Sequence, residues 1–257
     1  MTQWFVLFKK EWLEMTRNYK LLWLPLVFIL FGILQPVTSY YLPVILETTG
    51  DLPEGTVMDI PLPAAAEVLV GTLGQYSQLG VLILTLAFMG VIAGERSSGV
   101  QEMILVKPVS YLNYITSKWA SMSILGLGSL LLGMISSAYY THLLIGEVRI
   151  VDAANGTLVY AVWLLFLLTV TIFFSSFLKS SGLVATFTIV IAIGLSALTS
   201  LLGKWMTWSP GKLTGHAASF ITSGNAGDAF LLSLFMTFGF ILILLWGSVN
   251  LLKRVQN

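Results

Sequence analysis

Side chains able to do chemistry are sparse in this 257-residue chain. It has no Cys, which excludes disulfides and thiolate metal ligands. The histidines are His142 and His216, without the His-Glu-x-x-His pairing of a zinc protease, and His216 reads as a surface or loop histidine. Ser136 and Ser137 lie near His142 but lack a nucleophile-elbow context. Gly211-Lys212 is followed by Leu213 and lacks the upstream glycine of a phosphate-binding loop, so the chain itself is not expected to hold ATP. Five charged side chains, Glu95, Arg96, Glu102, Lys107 and Lys118, fall within residues 94–118, between two apolar runs. Ser98 and Gln101 are spaced as a capping box for a short helix over 99–106, which Pro108 ends; Ser110 is placed to cap the next helix. That short helix carries Met103, Ile104, Leu105 and Val106, and apolar residues on an exposed helix mark a docking surface.

The elements that position this segment follow from composition. The chain is 56% hydrophobic and 10% charged, where a soluble domain carries roughly a quarter charged residues. Apolar runs near 21–42, 75–93, 119–142, 157–178, 183–202 and 229–252 each reach the roughly 20 residues that cross a bilayer. The fold class expected is an all-α integral membrane protein with six transmembrane helices in a single domain over 1–257. Orientation follows Lys and Arg in short loops. One set of loops holds Lys9, Lys10, Arg17, Lys20, Arg96, Lys107, Lys118, Lys179, Lys253 and Arg254, ten of the 13, and the other holds Arg149, Lys204 and Lys212. Both termini are therefore expected in the cytoplasm. Net charge is +1 and no basic patch interleaves with aromatics, so nucleic acid is not an expected partner; the lipid bilayer is.

Ahead of the first run, over residues 1–20, Trp4, Phe8, Trp12, Met15 and Tyr19 recur at helical spacing, with Lys10, Glu14 and Arg17 opposite. This pattern predicts an amphipathic helix lying in the membrane interface. The loop over 43–74 is acidic, with Glu47, Asp51, Glu54, Asp59 and Glu67 and no Lys or Arg, and reads as a solvated external loop. Ser129, Gly133 and Ser137 in the third run form a small-residue strip that lets helices approach closely, within the subunit or across a dimer. The polar residues in mid-span are hydroxyls and amides such as Gln35, Ser123, Thr169, Ser175, Thr188 and Ser196. The absence of mid-span charge counts against an ion-coupled carrier.

Glu95, Gly99, Glu102, Pro108-Val109-Ser110 and Lys118 together resemble the cytoplasmic segment after the second span of type-2 permeases of ATP-binding-cassette exporters. Val100-Gln101 stands where that family often has Thr-Leu, and Ser117 where Gly commonly precedes the Lys. The resemblance implies that residues 94–118 form a coupling helix contacting an ATPase subunit through Glu95, Arg96, Gly99, Glu102, Met103, Leu105, Lys107 and Pro108. It implies an elbow helix carrying Trp4, Phe8, Trp12 and Arg17. It also implies an external segment over 203–228 that dips into the outer leaflet and gates the path, with Trp205, Trp208 and Phe220. The short turn around Lys179 would lie near the same ATPase. ATP and Mg would sit on that partner, with no cofactor or metal and no catalytic residue here. A second permease copy or a related permease would complete the path. The implied activity is export of an amphiphilic or hydrophobic substrate (lipid, peptide antibiotic or drug) across a bacterial plasma membrane. The alternatives from other classes are a self-contained ion-coupled transporter and, behind it, an intramembrane enzyme.

Overall fold

A computed structural model describes residues 3–49, 62–106 and 109–256. Lys107 and Pro108 of the expected coupling segment, and Asp51, Glu54 and Asp59 of the acidic loop, lie outside the described residues. The described chain is helical: α1 Gln3–Arg17, α2 Lys20–Thr49, α3 Ala65–Gln75, a π turn Tyr76–Gly80, α4 Val81–Phe88, α5 Ala93–Ser97, α6 Val100–Leu105, α7 Tyr111–Leu144, α8 Ile150–Phe177, α9 Ser181–Leu201, α10 Lys212–Ser223 and α11 Phe230–Gln256. Six stretches are long and apolar enough to cross a membrane, which bears out the expected class. The second, Ala65–Ser97, begins ten residues before the apolar run does. The reason is local: Ala64 begins α3 with Glu67 in its first turn, where a carboxylate suits the helix dipole, and Val68, Leu69 and Leu73 then face the core.

Helix α8 is the centre of the bundle, with Tyr160, Trp163, Leu164 and Leu168 buried among α4, α7, α9, α10 and α11. Helices α2, α9 and α11 are peripheral. Leu22, Leu26, Leu30 and Leu34 on α2, and Phe235, Leu242 and Trp246 on α11, point outward and give the bundle an apolar girdle suited to lipid.

The small-residue strip of α7 meets α2, so the contact lies within the subunit. A Cβ on Gly32 would stand 2.2 Å from the Gly133 carbonyl oxygen, and one on Gly133 would stand 2.2 Å from the Tyr76 hydroxyl and 2.7 Å from the Phe28 carbonyl oxygen. Tyr76 closes this junction: its hydroxyl donates to the Phe28 carbonyl at 2.7 Å, and its ring stacks on Phe28 at 4.9 Å. A turn further along, the Thr72 and Ser137 hydroxyls meet at 2.7 Å.

Between α4 and α5 the second span breaks. The backbone amides of Ile92 and Ala93 donate to Ser175 Oγ of α8, at 3.1 and 2.9 Å. Ser175 thus serves another helix's backbone, whereas Thr169 and Thr188 bond to their own, at the carbonyls of Leu165 and Val184.

Candidate functional site

The break delivers α5 to the end of the bundle where α1 lies, and there buried charges converge. Lys118, near the start of α7, is 1% exposed, and its Nζ stands 2.8 Å from Glu11 Oε1 of α1 and 2.8 Å from Glu95 Oε1 of α5. Lys10 reaches Glu11 and Glu14 at 2.9 Å and also pairs with Glu95. Tyr114, one turn before Lys118, donates its hydroxyl to Glu95 Oε2 at 2.5 Å. Each carboxylate lost to water is thereby given charge-assisted partners, the condition under which burial of ions is tolerated. Burial alone disfavours the Lys10 charge, yet Glu11 and Glu95 hold its pKa above the ordinary lysine value.

Helix α1 is amphipathic as expected, with Trp4, Phe8 and Trp12 in a stacked ladder and Trp4 Nε1 donating to Thr116 Oγ1 at 3.1 Å. Its inward face is not wholly apolar, however. Glu11 turns into the bundle beside Met15, while Arg17 stays exposed. Helical spacing places Glu11 on the face of Trp4, Phe8 and Met15, and Lys118 of α7 meets it there. Glu95 is likewise occupied inside the chain rather than standing at the surface.

Arg96, the next residue, is drawn the other way. Its Nε donates to Gln101 Oε1 at 3.1 Å and Nη1 to the Leu178 carbonyl at 3.2 Å; Nη2 bonds to the Ser176 carbonyl at the end of α8. Between them, Glu95 and Arg96 tie α5 to α1, α7 and α8.

The capping expectation needs correcting. Ser98 does not cap α6; its hydroxyl turns back to the Glu95 carbonyl at 3.2 Å. The N-cap of α6 is Gly99, with φ 76°, in the left-handed region that favours glycine. Gly99 also ends α5, its amide bonding to the Arg96 carbonyl, so a single residue reverses the chain and, lacking a side chain, offers no side-chain cap. Ser110 does occupy the N-cap of α7, without a side-chain bond. On α6, Met103 and Val106 are 73% and 86% exposed, Glu102 is exposed, Leu105 is half-buried and Ile104 packs inward.

At the other end, the gate residues do not converge. Trp205 is 84% exposed, Trp208 packs on Phe240 of α11 at 6.1 Å, and Phe220 meets Phe230 edge-on at 5.4 Å. Helix α10 is seated closely on α8, where a Cβ on Gly156 would stand 2.7 Å from the Ala217 carbonyl oxygen. His216 is not a surface histidine: it is 6% exposed and lies edge-on to Phe230. Burial, aided by Lys212, lowers its pKa below the ordinary value. A depressed imidazole stabilises the fold above its unfolded pKa of about 6.5, and that contribution is lost as pH falls through the folded value. Lowering the pH from about 7.5 to about 5 should therefore lower the unfolding midpoint, with a smaller drop in His216→Leu. Equal drops in the two proteins would exclude His216 as the cause.

Six apolar stretches around a buried core, with many large apolar side chains turned outward, define a multi-pass membrane protein. The chain is 34% identical over 251 residues, 98% of its own length and 97% of the other's, to the uncharacterized transmembrane protein YxlG of Bacillus subtilis (strain 168), and it belongs to that protein's family. No protein-family model matches the chain.

Proposed function

We propose that this chain is the membrane-spanning subunit of an ATP-binding-cassette exporter. It would move an amphiphilic or hydrophobic substrate with energy from a separate ATPase subunit. The observation that carries the reading is the construction of α5–α6. Met103 and Val106 present an apolar edge to the outside, while Glu95 and Arg96 fasten the same turn to α1, α7 and α8. A partner that grips α6 therefore moves the ends of the second and third spans together. In this reading that end of the bundle is cytoplasmic, α1 is the elbow helix, and a second copy or a related permease completes the path. The resemblance of residues 94–118 to the coupling segment of type-2 permeases, and the lack of a phosphate-binding loop, support it.

The test is purification of the tagged full-length chain from its native membranes in mild detergent. The wild type is expected to retain an ATPase with a phosphate-binding loop. Val106→Asp, at an exposed position, should lose it, as should Leu105→Asp; Glu102→Arg should release it or uncouple ATP hydrolysis from export. Recovery of intact wild type without any such ATPase would sink the reading and favour a carrier driven by an ion gradient.

A further inference from the structure

Where α2 begins, α4 ends and α9 begins, a cavity of about 320 Å³ has Glu11, Glu14, Asn18, Lys20, Trp23 and Ser181 in its wall, among others. It offers about ten times the volume of one liquid water, room for a group of many atoms. Its charges stand apart. Lys20 Nζ donates to the Ala87 carbonyl at 2.6 Å and lies 5.7 Å from the centre of the Phe88 ring. No carboxylate stands within ion-pair distance of it among the described residues. An ammonium carries three donors, so the carbonyl leaves others of Lys20 to be met. Glu11 is 4% exposed; Lys10 and Lys118 both meet its Oε1, and no hydrogen bond among the described residues reaches Oε2. Glu14 is exposed and gives one oxygen, Oε2, to Lys10. The wall therefore holds carboxylates of α1 in one part and the ammonium of α2 in another. Trp23 and Leu86 also line the cavity and are partly open to the outside of the bundle. Leu26 and Leu82, one turn deeper on α2 and α4, continue that outward apolar surface into the span.

We propose that this cavity holds the headgroup of a phospholipid that carries both a phosphate and a primary ammonium, phosphatidylethanolamine. The phosphate accepts from Lys20 Nζ, with the Asn18 amide and the Ser181 hydroxyl as neutral donors in the same wall. The ammonium donates to Glu11 Oε2 and to Glu14. An anionic headgroup without a cation would bring its charge beside two carboxylates, and a bare cation would meet Lys20. A headgroup with separated charges gives each side its charge-assisted partner. A trimethylated ammonium has no N–H to donate, so choline lipids fit less well. The outward surface from Trp23 to Leu26 and from Leu86 to Leu82 supplies the track for acyl chains, which ties the cavity to the bilayer. The bound lipid joins α1 to the starts of α2 and α9. The inference does not depend on the function proposed above, since it concerns a lipid held at the rim of the bundle and stands with or without an ATPase.

For the experiment, full-length wild type, Glu14→Gln, Lys20→Gln and Lys9→Gln are purified in mild detergent and washed free of native lipid. Each is then mixed with phosphatidylethanolamine, phosphatidylcholine or phosphatidylglycerol of identical acyl chains, and native mass spectrometry reads the lipid bound per chain. Wild type should hold a single phosphatidylethanolamine about tenfold more tightly than either other lipid. Glu14→Gln should lose most of that preference, and Lys20→Gln should bind all three weakly. Lys9→Gln, exposed on α1 and outside the cavity wall, should match wild type. Glu14 is exposed, so its variant keeps the test valid if Lys20→Gln fails to fold. Equal binding of the three lipids by wild type would overturn the proposal, as would Glu14→Gln keeping the full preference. A wild-type preference for phosphatidylglycerol would overturn the paired charges and leave Lys20 as a simple anion contact. Displacement of the lipid by free phosphoethanolamine at equal concentration would assign the cavity to a soluble ligand and overturn the lipid.

Discussion

Lys118→Met is expected to cost about 3–5 kcal/mol, because it removes the cation shared by two buried carboxylates and leaves Lys10 alone to balance them. Lys118 is 1% exposed, so water offers little screening in its place. Most of the cost comes from Glu11 and Glu95, which remain buried with one partner fewer. Removing a carboxylate as well should return part of it: Lys118→Met with Glu95→Gln leaves Lys10 and Glu11 as a matched pair. Unfolding midpoints of the two single variants and the double variant, in one detergent, give the coupling between the sites. Strictly additive losses would mean that the charges do not act as a unit.

The second large effect is steric. Gly133→Ala is expected to destabilise the chain by about 3 kcal/mol or more, at the top of the range for overpacked cores. The added Cβ would stand 2.2 Å from the Tyr76 hydroxyl and 2.7 Å from the Phe28 carbonyl oxygen, and the second of these is backbone. Tyr76→Phe relieves the first contact alone, so Gly133→Ala with Tyr76→Phe should recover only part of the loss. Gly128→Ala on the same helix meets nothing within 4 Å and should be neutral or stabilising by up to about 1 kcal/mol, following helix propensity. Thermal unfolding of the purified variants separates these outcomes. A midpoint for Gly133→Ala equal to that of Gly128→Ala would refute the close crossing of α2 and α7.

The spans are legible in the sequence because each must be apolar over its whole length, and that is a local property. What is not local is not legible. Helices α8 and α11 have the same peak mean hydropathy, 2.3, yet 67% of one and 17% of the other is buried, since lipid and protein interior select the same side chains. The strip of Gly133 and Ser137 is visible, but its partner Gly32 is about a hundred residues away, and no period along α7 identifies it. Glu11 falls on the same helical face as Trp4 and Met15, so its inward direction is a local property, but nothing local names Lys118 as its partner. Ser175 reads as a hydroxyl bonded to its own helix, because the break it stabilises is in another span. A cavity beside α6 needs the end of α8 brought alongside before Lys179, in the turn after it, can reach its wall. Residues 94–118 stand out through local signals, capping residues, an apolar tetrad and charges together, but the pairing of Glu95 and Lys118 with α1 is not among them.

The Lys118–Glu11 contact joins residues 107 positions apart. During synthesis α1 emerges before α7, and the lysine that seats it appears only when the third span is being made. In the interval Glu11 and Glu14 have Lys10 at hand, one and four positions away, a provisional neutraliser within the same helix. Helix α1 thus has a partner for its acids before α7 exists, and its seating on Lys118 waits for the third span.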